Sequence, residues 1–330
     1  MNVIHKYCFI ALWVVLLLCG CNSASKKSSD RQSCPPQVVV PTFNADSAYS
    51  YVMQQVAMGY RVPGTDAHRE VAMWLADELR RHRGDVIVQE ATVVAYNGQR
   101  LPMYNIIAQF TPEKNDRILL AAHWDSRPYA DKDANADNWQ HPIAGANDGA
   151  SGVGVLLEMA RHMGAVSPAV GVDIILFDVE DYGAPEWVAG DNSNTWALGS
   201  QYWATHPHIP GYSARYGVLL DMVAAPGLCF YREYFSQYYA SHIVDKVWEC
   251  AHRLGYSAVF VNKMGGAITD DHVYMNKAGV PSIDIIQMDV NSETGFFAQW
   301  HTLEDNMDNI DPDMLGAVGH TLMTVIYEEK

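Results

Sequence analysis

The chain has 330 residues, of which 49% are hydrophobic, and a formal net charge of −16 at neutral pH. This composition predicts a soluble globular protein with enough apolar residues for a large core. The acidic balance and the lack of a cluster of lysines and arginines argue against nucleic acid as a partner, because phosphate binding requires clustered positive charge. A cationic substrate fits this charge better.

The first residues, 1–20, have the form of a secretory signal. A lysine precedes the apolar run of residues 9–18, which is too short to remain as a membrane-spanning helix. The stretch LCGC, which ends at Cys21, resembles the bacterial lipobox, in which the cysteine is acylated and becomes the mature N-terminus. We therefore predict a lipid on Cys21 and a tether over residues 21–42, with an ordinary cleaved signal as the alternative. The protein would be exported and held at a bacterial membrane by this anchor alone, facing the periplasm.

Three cysteines remain outside the predicted signal and lipid site: Cys34, Cys229 and Cys250. They are too few and too scattered for a disulfide scaffold or a thiolate zinc site. Which of them pair, if any, stays open at this point. No oligomerisation surface is evident in the sequence, so we expect a monomer.

From residue 43 onward the composition does not shift again and no repeat is present, which predicts one domain over residues 43–330. Five apolar runs rich in branched residues predict strands that are covered on both faces. These runs cover residues 105–110, 117–123, 172–177, 216–222 and 282–288. Helices are predicted over residues 71–79, 151–163, 200–205, 236–254, 270–277 and 315–325, the last begun by Asp311 and Pro312.

This alternation predicts an α/β fold in three layers, with helices on both faces of a mixed, mostly parallel central sheet. In such folds ligands bind beyond the carboxyl ends of the strands. Metal ligands or acids follow several of the apolar runs at these ends. They are His123 and Asp125, Asp148, Glu180 and Asp181, Asp221, and His301.

One acid beside a strand is usually a solvated loop residue or a helix cap, but a set of this size at one edge is not explained in that way. Clustered carboxylates repel one another in a low dielectric, so some must be protonated unless a cation is present. A divalent metal removes this conflict. Imidazole and carboxylate ligands without a thiolate predict zinc in a catalytic site. Because adjacent side chains on a turn point in different directions, we expect only one of Glu180 and Asp181 to bind the metal.

Glycines flank one of these acids in the stretch AGANDGASGVG. Gly145 and Gly149 permit tight backbone conformations, and Ser151 is predicted to cap the helix that follows. A purely structural junction between loop and helix would explain the glycines. It would leave Asp148 unexplained.

The segments HWDSRP, GANDGASG, VEDYG, WALGSQYW, LLDMV, DDH and WHTLEDN occur in this order. Together they resemble the zinc-dependent glutaminyl-peptide cyclotransferases of animal type and their bacterial relatives, which share the M28 aminopeptidase fold. The resemblance runs from Arg61 to Asn309. It implies an acyltransferase that converts the N-terminal glutamine of peptides and exported proteins to pyroglutamate and releases ammonia.

The resemblance also implies roles for individual residues. Asp148, Asp181 and His301 would bind one zinc ion per chain, with Asp181 standing where the family more often has the longer glutamate. Glu180 would be the general base and acid.

Further residues follow from the same resemblance. Asp221 and Asp270 would be the acids hydrogen-bonded behind the general base, with the neighbour of Asp270 in the pair Asp270-Asp271 as an alternative. Three aromatic residues would line the substrate pocket, although core packing explains any one of them equally well. They are Trp300, Trp187 and Phe296.

Two rival functions stay open. A two-zinc aminopeptidase on the same fold would use His123 and Asp221 for a second metal, and His123 with Asp125 has the ligand types for it, or else serves a structural purpose. A membrane-tethered binding protein without turnover is expected to lack an acid at the Glu180 position, which this chain has. The segments WALGSQYW, HPIAGANDGASG and WHT resemble the cyclases more than the peptidases.

Overall fold

The computed structural model describes residues 39–190 and 192–330. The predicted signal, most of the tether, Cys21 and Cys34 lie outside the described residues. An eight-stranded mixed sheet runs through the centre of the described part. Its strands are β1 (Asp85–Val94), β2 (Arg100–Phe110), β3 (Arg117–His123), β4 (Gly171–Phe177), β5 (Gly217–Asp221), β6 (Cys229–Arg232), β7 (Phe260–Met264) and β8 (Ser282–Met288).

The strands lie in the order β1-β2-β4-β3-β5-β8-β6-β7. The four central strands β4, β3, β5 and β8 are parallel to one another, while β2 and β6 flank them in antiparallel pairing. Seven α-helices complete the described fold. They are α1 (Ala45–Ala57), α2 (Asp66–Arg81), α3 (Ala150–Ala165), α4 (Leu198–Thr205), α5 (Tyr234–Arg253), α6 (Asp271–Lys277) and α7 (Pro312–Glu328).

Alternate residues of the central strands point into two separate cores, as the period of a β-strand requires. Leu120 packs into a large core with helices α1, α2, α3, α5 and α7. Its neighbour Leu119 packs into a smaller core on the other face, with Trp203 of α4 and Met275 of α6. The predicted three-layer α/β architecture is therefore confirmed.

All five predicted strands and all six predicted helices are present. Helix α7 begins as predicted, because Asp311 accepts a hydrogen bond from the backbone N–H of Asp313 at 2.9 Å and Pro312 takes the first helical position. The sequence analysis missed α1, β1, β6 and β7. Strand β1 is an edge strand on which no residue is fully buried, so it lacks the continuous apolar run by which the central strands were identified.

The predicted cap at Ser151 is wrong. Gly149 is the N-cap residue of α3 and contributes no side-chain cap, while Ser151 lies inside the helix. The Ser151 hydroxyl donates to the carbonyl of Asn147 at 2.6 Å and accepts from the N–H of Val223 at 3.0 Å. Ser151 thus joins the start of α3 to the loop after β5, which local sequence could not reveal.

Two further observations concern membranes and thiols. Within the described ranges, none of the helices has the length and hydropathy needed to cross a bilayer. Cys250 is buried and Cys229 is partly exposed, and both carry free thiols.

A buried ion pair joins β3 and β4 at the edge of the sheet opposite their carboxyl ends. Arg117 donates to both carboxylate oxygens of Asp173, at 2.8 and 2.5 Å, and Tyr212 donates its O–H to the same carboxylate at 2.8 Å. The guanidinium also donates to backbone carbonyls of the loop before β3. This pair holds the two strands that end at the acidic edge.

We predict that Asp173→Ala lowers the free energy of unfolding by about 3–5 kcal/mol, because it leaves a buried guanidinium without its counter-charge. The measurement is urea denaturation followed by circular dichroism. The double variant Arg117→Met, Asp173→Leu removes both charges and should lose less than the single variant. Equal losses in the two proteins would contradict this account.

Candidate active site

Three adjacent parallel strands end at the same edge of the sheet. Strand β3 ends at His123, β4 is followed by residues 178–181, and β5 ends at Asp221. Because β4, β3 and β5 are neighbours in the sheet, their carboxyl ends deliver these side chains to one place. The structure thus brings together the strand-end residues that the sequence singled out.

These residues surround a small cavity of about 70 Å³. Its polar wall consists of ionisable side chains: Asp148, Glu180, Asp181, Asp221, Asp270 and His301. The rest of the wall is apolar or aromatic: Trp196, Met222, Ile268, Ile286, Phe296 and Trp300. Glu180 is only partly buried, whereas the other acids of the wall are buried.

Asp148, Asp181 and His301 form a group that fits a metal ion. One ligand atom from each lies within 4.8 Å of the others. Nε2 of His301 is 3.6 Å from Asp148 Oδ2 and 3.3 Å from Asp181 Oδ1. Oδ2 of Asp181 is buried and has no hydrogen-bond partner among the described residues. Two carboxylates and one imidazole, without a thiolate, match a catalytic zinc site that keeps a position for substrate.

The loop that carries Asp148 is fixed from both sides. The carboxylate of Asp305 accepts the backbone N–H of Asn147 at 2.8 Å and that of Asp148 at 3.2 Å. Arg61, which is fully buried, donates to the carbonyls of Ala144 and Gly145 at 2.7 and 2.6 Å. The loop is therefore held by residues that lie far from it in sequence.

Both glycines of this loop are required by geometry. Gly145 has a φ of +60°, which favours glycine, and a Cβ there would lie 2.3 Å from the carbonyl oxygen of Asp148. A Cβ on Gly149 would lie 2.3 Å from Nε2 of His123. The predicted tight backbone is present at Gly145, whereas Gly149 has a φ of −113° that any residue can adopt and is required because the His123 imidazole packs against it.

The three carboxylates after β4 have different surroundings. Asp178 points away from the cavity, where it lies 2.9 Å from Nε2 of His68 and accepts the N–H of Tyr104 at 2.7 Å. Glu180 and Asp181 line the cavity. Asp178 is therefore a structural anchor for the turn that presents the other two.

Asp125 determines the conformation of that turn. Its two carboxylate oxygens accept the backbone N–H groups of Glu180 and Asp181, at 3.0 and 3.1 Å. Val179, just before them, has a φ of +53°, an unfavourable value for a β-branched residue. Strain of this kind persists only where surrounding contacts enforce it, and the hydrogen bonds to Asp125 are such contacts.

Asp131, which the sequence analysis missed, orients His301. Its Oδ1 lies 3.5 Å from Nδ1 of His301, so the imidazole can direct Nε2 toward Asp148 and Asp181. Arg127 donates to both oxygens of Asp131, at 2.7 and 2.6 Å, and to the backbone carbonyl of Asp181 at 3.1 Å. Asp131 lies in a loop without periodicity, so no local signal identified it.

His123 lies between carboxylates. Its Nε2 is 2.9 Å from Asp148 Oδ1 and 3.1 Å from Asp221 Oδ1, and its Nδ1 is 3.5 Å from Asp125. Burial lowers the pKa of His123, but hydrogen bonds with these three carboxylates outweigh burial and raise it well above its usual value. The same three ligand types, from His123, Asp148 and Asp221, also lie within 4.8 Å of one another and fit a second metal.

With the exception of Asp148, whose pKa is lowered by His123, the acids of the cavity wall hold protons more strongly than usual. Burial raises the pKa of Glu180 well above its usual value, and the negative charges of Asp270 and Asp181 raise it further against the opposing effect of His123. Burial and Asp148 raise the pKa of Asp221 to about 8. Of the pair Asp270-Asp271, only Asp270 is found in the cavity wall.

The aromatic residues divide into two groups. Trp300 and Phe296 line the cavity, and Trp300 stacks on the His301 ring with a centroid separation of 3.8 Å. Trp196, from the segment WALGSQYW, also lines the cavity, although the sequence analysis did not single it out. Trp187 is 40% exposed and stacks on Trp139 at 6.0 Å, outside the cavity wall.

Comparisons with known proteins show two solved structures to which the chain is similar over nearly its whole described length. The chain superposes on the crystal structure of Tannerella forsythia glutaminyl cyclase with a TM-score of 0.86 and 54% identity, covering 88% of this chain and 100% of that one. It superposes equally well on a Zn-dependent exopeptidase from Parabacteroides distasonis, with a TM-score of 0.87, 51% identity and the same coverage.

More distant relatives include both activities. Bovine glutaminyl-peptide cyclotransferase is 23% identical over 299 residues, which cover 81% of this chain and 78% of that protein. The Bacillus subtilis aminopeptidase YwaD is 26% identical over 264 residues, 76% of this chain, and the match spans only 50% of that protein's length.

A family model provides the final comparison. The model for peptidase family M28 matches residues 105–326, which contain all the metal-site residues described above. The chain belongs to peptidase family M28.

Proposed function

We propose that this protein is a zinc-dependent glutaminyl-peptide cyclotransferase, which converts the N-terminal glutamine of peptides to pyroglutamate and releases ammonia. The observation that carries the proposal is the position of Glu180. This partly exposed acid lies in the wall of a small cavity beside the group Asp148, Asp181 and His301. The similarity to Tannerella forsythia glutaminyl cyclase supports it.

Asp148, Asp181 and His301 would hold the zinc ion, one per chain. When bound, zinc supplies Lewis acidity toward the side-chain amide carbonyl of the substrate glutamine. The protein's own contribution is to keep the three ligands in place. Asp131 orients His301, Asp305 holds the backbone of Asp148, and Asp125 holds that of Asp181.

The reaction is intramolecular, so the substrate itself supplies much of the proximity. The α-amine nitrogen forms a bond to the carbonyl carbon of its own side-chain amide, and the bond from that carbon to the amide nitrogen breaks. The carboxylate of Glu180 takes a proton from the α-amine and returns it to the departing nitrogen, which leaves as ammonia. The raised pKa of Glu180 suits this exchange, since an acid with a pKa nearer neutrality both accepts and returns a proton.

Electrostatics and shape select the substrate's terminus. The acids of the wall attract the positive charge of an N-terminal ammonium as the substrate approaches, in keeping with the net charge of −16, and this group releases one proton to solvent before its neutral amine attacks. Trp196, Phe296 and Trp300 limit the space around it and exclude water.

One observation favours a second candidate, a two-zinc aminopeptidase. His123, Asp148 and Asp221 lie close enough together to bind another metal ion. In the one-zinc proposal, Nε2 of His123 stays paired with both carboxylates, 2.9 Å from Asp148 and 3.1 Å from Asp221, instead of binding a second ion.

The proposed setting of the enzyme follows from its first residues. We propose that it is exported and attached to a bacterial membrane through a lipid on Cys21, facing the periplasm, and that it acts there as a monomer on exported peptides and proteins. The support is the stretch LCGC after an apolar run. Nucleic acid is not among the proposed partners.

We predict that the purified protein binds about one zinc ion per chain and releases ammonia from a dipeptide that begins with glutamine, without cleaving the peptide bond. Metal analysis and a coupled ammonia assay measure both quantities. Two zinc ions together with release of a free amino acid would establish the aminopeptidase instead.

A second prediction concerns the proton shuttle. Glu180→Gln should reduce kcat by about 10²–10⁴-fold, because the carboxamide cannot accept the amine proton, while zinc content stays unchanged. Glu186→Gln is the matched control, since Glu186 pairs with Lys132 at the surface and should leave kcat unaltered. Substantial turnover in Glu180→Gln would refute the assigned role.

A third prediction concerns the residue behind His301. Asp131→Ala should weaken zinc binding by about 10–100-fold, as is typical when the hydrogen-bond partner of a ligand is removed. Competition with a chelator measures the affinity. Asp137→Ala removes an exposed carboxylate shortly after Asp131 in the chain and serves as the control. Unchanged affinity would show that Asp131 only supports the loop.

A further inference from the structure

A second hollow lies beside the cavity, and the proposed proton transfer does not involve it. Its volume is about 570 Å³. One wall consists of residues 266–269, from the loop between β7 and α6. The other consists of Met288, Val290 and residues 294–296, from the end of β8 and the loop that follows it. We call this hollow the apolar groove.

The apolar groove is continuous with the wall of the cavity. Ile268 and Phe296 line both of them. These two side chains are half-buried and pack with the buried Met288 in one apolar cluster. A peptide whose first residue lies in the cavity therefore has the groove next to it, across the thickness of one side chain.

The chemistry of the apolar groove differs from that of the cavity. All the side chains that line it are uncharged, whereas acids make up the polar wall of the cavity. Apolar surface extends from Met288, which is 5% exposed, to Val290 at the rim, which is 63% exposed. Asp289 and Glu293, neighbours of lining residues in the same loop, add negative charge beside it. The groove thus favours an apolar side chain over an acidic one.

The loop after β8 is held in shape by its own hydrogen bonds. The backbone N–H of Asp289 donates to the carbonyl of Gly295 at 2.9 Å. The Ser292 hydroxyl donates to the carbonyl of Phe296 and accepts the N–H of Gly295, both at 2.9 Å. The wall that this loop supplies is therefore shaped by the chain itself.

The opposite wall is fixed by the start of α5. The carbonyl of Gly266 accepts the N–H of Tyr234 at 3.0 Å, and the N–H of Ile268 donates to the Glu233 carboxylate at 3.0 Å. Glu233 is fully buried and is the N-cap residue of that helix. Because both walls are preformed, little ordering is needed when a peptide binds, so contacts in the groove add to affinity.

The geometry of an extended peptide determines which of its residues reaches the apolar groove. Successive side chains of an extended chain point to opposite sides, and each residue adds about 3.3 Å. When the glutamine side chain enters the cavity, the second side chain points away from it. The third points to the same side as the glutamine, about 6–7 Å further along. A hollow that shares Ile268 and Phe296 with the cavity is suited to receive it.

We infer that the apolar groove is the subsite for the third residue of the peptide and that it selects an apolar side chain there. The inference rests on the proposed function, since it assumes a substrate whose N-terminal glutamine lies in the cavity. Val290 is the specificity-determining residue, because this exposed branched side chain lines the groove and not the cavity.

The test measures kcat/KM for ammonia release by the full chain loaded with zinc. The peptide Gln-Gly-Leu should exceed Gln-Gly-Gly by about three- to tenfold, because partial burial of the leucine side chain strengthens binding. Gln-Gly-Asp should be slower than Gln-Gly-Gly. Gln-Leu-Gly has the composition of Gln-Gly-Leu but carries leucine at the second position, and its advantage over Gln-Gly-Gly should be smaller.

Two substitutions at Val290 test the groove itself. Val290→Ser removes the apolar branches and should bring the ratio of kcat/KM for Gln-Gly-Leu and Gln-Gly-Gly close to one. Val290→Lys places a cation at the rim and should make Gln-Gly-Asp a better substrate than Gln-Gly-Leu. Each ratio compares one protein with itself, so a loss of folded protein lowers both rates and leaves the ratio unchanged.

The matched control is Val166→Ser. Val166 is 52% exposed and follows the C-terminus of α3, about 24 Å along that helix from the loop of Asp148. This variant should keep the wild-type preference for Gln-Gly-Leu.

Each outcome decides the inference. A preference for Gln-Gly-Leu that Val290→Ser removes and Val290→Lys reverses supports it. Equal kcat/KM for Gln-Gly-Leu and Gln-Gly-Gly in the wild type overturns it and leaves the proposed function intact. A preference that persists in Val290→Ser, or that appears only with Gln-Leu-Gly, overturns it in the same way. A wild-type chain that releases no ammonia from any of these peptides overturns the proposed function and the inference together.

Discussion

The crowding of carboxylates at one edge of the sheet is the constraint on which the rest of the structure depends. Asp148, Asp181, Asp221 and Asp270 are buried, and with Glu180 they share the wall of one small cavity. Such a group cannot remain fully ionised in a low dielectric, so its charge must be balanced by cations or protons. The site combines the two: Asp148, Asp181 and His301 fit a metal ion, and the neighbouring Glu180 has a raised pKa.

The surrounding side chains act mainly on position. Asp125, Asp131 and Asp305 direct their carboxylates at the backbone or imidazole of residues that face the cavity, and none of the three lines it. Their orientation is set in turn by guanidinium groups and backbone amides. Each of the three proposed metal ligands is therefore held by a second side chain: Asp305 for Asp148, Asp125 for Asp181 and Asp131 for His301. Support of this kind keeps a metal site from rearranging.

The M28 fold alone does not decide between hydrolysis and cyclisation, because the relatives of this chain include both. The proposed one-zinc enzyme and its two-zinc rival differ at Asp148 and Asp221, which a second metal ion would join through His123. Nε2 of His123 lies 2.9 Å from the first carboxylate and 3.1 Å from the second, so the same three side chains either pair with one another or bind that ion.

The central strands, the long helices and the residues at the strand ends could be read from the sequence, because apolar periodicity is local and parallel strands deliver their ends to a common edge. Only the tertiary structure decided which side chains support the site. Asp305 holds a loop 158 residues away from it, and the roles of Asp131 and Trp196 depend on contacts between separate elements. Such contacts have no local period, since they arise only when the sheet brings distant loops together.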